Sequence, residues 1–91
     1  MLHILKNQQS IHQALPYIQS EDCLILIEDS VYCANKKHEC YPSLADFHVY
    51  VLREDLEARG LQSFVAEDVD IVDYSGFVHL TATNTSLMTW N

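Results

Sequence analysis

The residue types suited to covalent or proton-transfer chemistry in this chain are its three cysteines and the adjacent carboxylates Glu28 and Asp29. Cys33 follows that acidic pair and Ser30. In the first turn of a helix opened by Ser30, its thiol would meet the positive end of the helix dipole, which favours a thiolate able to accept a persulfide. The opposing reading makes Cys33 a small packed residue, with Glu28 and Asp29 raising its pKa by repelling a thiolate. Cys33, His38 and Cys40 form Cys-x4-His-x-Cys, nominally three zinc ligands. That spacing fits no closed structural site and a fourth ligand is missing, so no metal is expected. Cys23 opens an apolar run and reads as core, whereas Cys40 reads as an exposed loop residue. Glu28 and Asp29 have the types of a general acid/base pair. A helix capped by Asp29 or Ser30, with Glu28 solvated, is the preferred reading of the same residues.

The elements that must position these residues follow from the hydrophobic pattern. Residues 23–27 form an unbroken apolar run, the pattern of a strand covered on both faces. The run stops at carboxylates, and a helix over 31–37 is expected to follow, which makes half of a βαβ unit. In open α/β sheets, sites are built in the crevice beyond such strand ends. Upstream, residues 2–5 read as a strand. Residues 7–20 read as a helix with Ile11, Ala14, Leu15 and Ile18 on one face, broken near Pro16. Downstream, 38–45 is expected as a loop and 47–52 as a third strand. A helix over 53–60 is expected to end with Gly60 at C′ and Leu61 touching Leu56. Residues 68–73 read as a fourth strand. Asp73 is expected to cap a helix reaching about Thr83 that places Phe77, Leu80 and Thr81 together, and 87–90 as an edge strand. The expectation is one α/β domain over 1–91, three layers deep, with a mainly parallel sheet of four to five strands.

Composition narrows the partners. Thirteen acidic residues against five basic give a formal charge of −8, and Lys36-Lys37 is the only adjacent basic pair. Affinity for a phosphate backbone comes chiefly from Lys and Arg, so direct nucleic-acid binding is not expected. No run approaches the ~20 apolar residues of a membrane span, and the apolar start is too short for a signal peptide. An odd number of cysteines makes no disulfide framework, which points to a reducing cytoplasm. No cofactor is implied. Leu87, Met88 and Trp90, with Phe77 and Val78, are expected to contribute to a subunit contact, since Trp and Met are enriched at interface cores. Packing of this tail onto its own domain is the alternative.

Three stretches taken together resemble the TusB/DsrH subunits of bacterial sulfur-relay complexes. They are Leu24-Ile-Leu-Ile-Glu-Asp-Ser-Val-Tyr-Cys-Ala34, Val49-Tyr-Val-Leu-Arg-Glu-Asp-Leu-Glu-Ala-Arg-Gly-Leu61 and Val72-Asp-Tyr-Ser-Gly-Phe-Val-His-Leu-Thr81. Leu2-His3-Ile4-Leu5 and Trp90 fit the same pattern. The resemblance implies a DsrE/F/H-like α/β fold. It also implies a heterohexamer with TusC- and TusD-like subunits that hands persulfide sulfur to the next relay protein, for 2-thiolation of the tRNA wobble uridine. In that relay the sulfur-carrying cysteine belongs to TusD. Some DsrH members carry a cysteine in the first helix, at a place matching about Ala14, but no cysteine lies between Met1 and Asp22 here. Ser30 stands where the family usually has Gly. A non-catalytic TusB role is therefore expected. A DsrH-type sulfurtransferase using Cys33 in sulfur oxidation is the alternative, and a stand-alone homo-oligomeric α/β protein the third reading.

Overall fold

In the computed structural model, which describes residues 1–91, the apolar runs become five strands. They are β1 (Leu2–Leu5), β2 (Cys23–Leu26), β3 (His48–Leu52), β4 (Asp70–Val72) and β5 (Leu87–Trp90). All neighbours are parallel, in the order β4-β3-β2-β1-β5. The first four strands step across the sheet one place at a time. The last connection carries the chain back over its whole width to lay β5 beside β1.

Because side chains alternate along a strand, β1, β2 and β3 each feed two cores. Leu5, Leu24, Leu26, Val49 and Val51 point into a core of 15 buried residues. Above it lie α1 (Gln8–Ala14), α2 (Arg53–Ala58) and two 3₁₀ segments, Glu28–Ala34 and Tyr41–Leu44. Leu2, Ile4, Ile25, Ile27 and Leu52 form a second core of five buried residues on the opposite face. Phe77 and Leu80 of α3 (Tyr74–Thr83) pack against that smaller core.

Local chemistry explains most boundaries. Asn7 accepts from the Ser10 amide (2.8 Å), and Ser10 Oγ accepts from the Asn7 amide (3.0 Å), a capping box at the start of α1. Pro16 stops α1, and the chain continues as a 3₁₀ turn over Leu15–Tyr17. Gly60 takes φ +67, with its amide bonded to Glu57 O (3.2 Å) and the Leu61 amide to Leu56 O (2.9 Å). This is the Schellman end expected from the sequence. Asp73 Oδ1 accepts from the Gly76 amide at 2.8 Å and caps α3, as expected.

The segment after β2 departs from expectation. It is a 3₁₀ helix over Glu28–Ala34, not a helix over 31–37, and no side chain caps it. Ser30 is fully buried and donates its hydroxyl to the carbonyls of Leu5 (2.6 Å) and Ile27 (2.7 Å). It therefore ties the ends of β1 and β2 together and does not cap the segment that follows. The turn's left-handed residue is Glu28, at φ +53. The stretch expected as a loop also holds the 3₁₀ turn Tyr41–Leu44, which buries Leu44 in the larger core.

Candidate functional site

The carboxylates beyond β2 are built into a brace. The Glu28 amide donates to Asp55 Oδ2 at 2.6 Å, and Lys6 Nζ stands 3.9 Å from the Glu28 carboxylate. Asp29 accepts from Arg59 Nε (3.2 Å) and Nη2 (3.0 Å), while Arg59 Nη1 reaches Asp55 (3.8 Å). The i,i+4 pair of Asp55 and Arg59 thus extends across to the 3₁₀ segment. The brace fixes α2 over the carboxyl end of β2, and no pocket opens there. Asp29 does not cap a helix, and Ser30 is spent on the strand ends.

Cys33 sits next to last in its 3₁₀ segment, where the dipole's negative end opposes a thiolate. Cys33 is 1% exposed, and so is Cys40, which the sequence pattern places in an exposed loop. The loop folds inward at Cys40 because the neighbouring turn buries Leu44 in the same core. The neighbouring Cys40 thiol, burial and the nearby Glu39 carboxylate push the Cys33 thiol well up. The same pairing of thiols draws Cys40 down. With both sulfurs out of water, the second proton of the pair is held firmly. Cys23 is half-buried beside Asn84, and burial raises its thiol too. His38 Nδ1 accepts from the Cys40 amide at 3.0 Å, so it serves the turn. No group of three or more His, Cys, Asp or Glu side chains is arranged around a metal position.

A second polar cluster escaped the sequence reading. His3, 1% exposed, bonds Asp22 Oδ2 through Nε2 at 2.9 Å and takes the Trp90 indole N–H on Nδ1 at 3.1 Å. An indole N–H only donates, so Nδ1 is the acceptor and Nε2 carries the proton toward Asp22. The Gln19 amide, His3 and the Met1 amine together hold the Asp22 carboxyl at about 2. A His-Asp pair of this kind activates a nucleophile in many enzymes. Here its third member is an indole, so the cluster clamps β5 to β1. The signals were a histidine inside an apolar strand and the register that sets β5 beside it.

The tail residues divide. Trp90 is half-buried, stacked on Tyr17 at 5.7 Å and turned onto the molecule's own core. Phe77 is half-buried against the smaller core. Val78, Leu87 and Met88 are 49%, 47% and 43% exposed, and Tyr74, not singled out from the sequence, is 63% exposed. Residues 74–91 contain no Asp, Glu, Lys or Arg, so every charged side chain lies at or before Asp73. Exposed aromatic and aliphatic side chains without charge are the composition of an interface centre.

Comparison with known proteins agrees over nearly the whole length. The family model "DsrH like protein" matches residues 6–87. Protein TusB of Escherichia coli K12 is 39% identical over 95 residues, covering 99% of this chain and all of the relative. Protein TusB of Salmonella arizonae is 36% identical over the same coverage. Among solved structures, the YchN protein from E. coli superposes with a TM-score of 0.79 over 98% of this chain and 97% of its own. At 15% identity that likeness speaks for the fold. With a family model covering residues 6–87 and full-length relatives above one-third identity, this chain belongs to the TusB/DsrH family.

Proposed function

We propose that this protein is a non-catalytic subunit of a TusBCD-like sulfur-transfer complex acting in 2-thiolation of the tRNA wobble uridine. The observation that carries this reading is the withdrawal of its sulfur. Cys33 and Cys40 are buried together and Cys23 is half-covered, in a chain that matches TusB proteins from end to end. A sulfur carrier needs an exposed thiolate, and burial works against both requirements. The protein acts in the cytoplasm within a heterohexamer of TusC- and TusD-like subunits, where it supports the sulfur-carrying partner and helps to dock the next relay protein. The net charge of −8 suits protein contacts and leaves tRNA to another subunit. The uncharged surface of Phe77, Val78, Leu87, Met88 and Trp90 is the part we assign to subunit contact.

The test is co-expression with TusC- and TusD-like subunits, followed by size-exclusion chromatography and exposure to a persulfidated donor. A stable complex whose labelled sulfur resides on a partner cysteine is expected. A sulfur atom gained by Cys33 in the isolated protein would replace this reading with a DsrH-type sulfurtransferase.

A further inference from the structure

The two edges of the sheet are finished differently. β4 is three residues long and carries Asp70, bonded to His48 at 2.8 Å, with Asp68 just before it. Charge and shortness are the usual guards against pairing at an edge. β5 has neither guard: its four residues are Leu-Met-Thr-Trp, and Leu87, Met88 and Thr89 are exposed.

Its backbone is directional. The Leu2 amide donates to Ser86 O at 3.0 Å, and Leu2 and His3 lie opposite Leu87 and Met88. Residues of a parallel strand alternate the side to which they offer N–H and C=O. Ser86, Met88 and Trp90 therefore serve β1, while Leu87 and Thr89 turn their N–H and C=O outward. Exposed Tyr17, stacked on Trp90, and Met88 flank that row on one face of the sheet, and Leu87 flanks it on the other.

We infer that β5 receives an extended, uncharged segment of a different polypeptide as a sixth strand. This inference rests on the subunit role proposed above and names its mode of contact. The outward groups of Leu87 and Thr89 offer a ladder that an extended backbone can pair with. Charge selects the source. A second copy's own β5 is equally neutral, but it would bring the net −8 of its body against the first, which an uncharged segment of another subunit does not.

Hydrogen exchange tests this on the complex co-expressed with TusC- and TusD-like subunits. In the isolated chain the Leu87 and Thr89 amides exchange freely, while Met88 and Trp90 are protected by β1. In the complex, Leu87 and Thr89 slow by about a hundredfold or more and Met88 and Trp90 change little, an alternation that side-chain burial alone does not produce. Thr89→Pro removes an outward N–H and spares the β1 ladder. It should weaken assembly at least about tenfold while leaving the Trp90 fluorescence of the isolated chain intact. Leu87→Lys restores a guarding charge and repeats the test should the proline variant misfold. A complex in which Leu87 and Thr89 exchange as freely as before overturns strand addition and leaves the subunit role standing. Failure of the unaltered chain to form any complex removes both. A dimer of the isolated chain with those two amides protected makes the occupant a second copy and overturns the inference.

Discussion

Ile25 and Leu26 are neighbours in β2, both fully buried, yet they enter opposite cores. Leu26 belongs to a core of 15 buried residues roofed by α1, α2 and two 3₁₀ segments, whereas Ile25 belongs to one of five beneath α3. No residue of α3 is itself buried. The first face carries most of the stability. The second is closed just well enough to hold the sheet, and its cover keeps an uncharged outer surface. A chain that folded only for itself would gain by charging that surface, so the difference between the faces points to a partner.

The comparison can be broken by measuring unfolding free energies in denaturant. Leu26→Ala should cost about 3–5 kcal/mol, because the surrounding elements are fixed by the Asp29–Arg59 brace and collapse little into the cavity. Ile25→Ala should cost less, about 2–3 kcal/mol, since α3 can settle toward the sheet. Equal or reversed costs would mean the faces are equally supported. Ser30→Ala should cost about 1–2 kcal/mol. It loses the one hydroxyl proton that the two carbonyls share, but Leu5 O and Ile27 O keep the Ile27 and Ser30 amides as partners. Phe77→Ala, on the half-buried side of α3, should cost only about 1 kcal/mol while weakening assembly more strongly. Glu28→Gly should stabilise by up to about 1 kcal/mol through relief of the left-handed backbone. A loss instead would mean that the pairing of Glu28 with Lys6 outweighs the backbone strain.

An acid titration sharpens the same picture at its smallest scale. Asp22 is held at about 2 against an ordinary 3.8, so its folded form binds protons less readily than the unfolded chain. Its stabilisation is complete above pH 4 and is lost as pH falls toward 2. Trp90 fluorescence, which reports the His3 clamp, should change across that window. A change beginning near pH 5 would place the release elsewhere.

Much of this architecture was legible in the sequence. The apolar run at β2, the stop at Pro16, Gly60 past α2 and Asp73 before α3 each carry a local signal strong enough to fix a boundary. What was illegible depended on tertiary contacts. Ser30 reads as a cap because its neighbours look helical, but two strand ends meet over its hydroxyl. Cys40 reads as exposed because Pro42 and Ser43 follow it, but Leu44 draws that turn into the core. The His3–Asp22–Trp90 clamp joins three distant points of the chain, and only the strand order brings them together. The charge-free stretch from 74 to 91 was in plain view and needed only counting.

The strand order also has a temporal side. A ribosome delivers β1 first and β5 last of the five strands, yet the two are neighbours in the finished sheet. Until α3 and β5 emerge, nascent chains carry Leu2, Ile4 and Ile25 on an uncovered face, open to chaperones and to pairing with other unfinished chains. Partner subunits that arrive during translation would find that face before its own cover does.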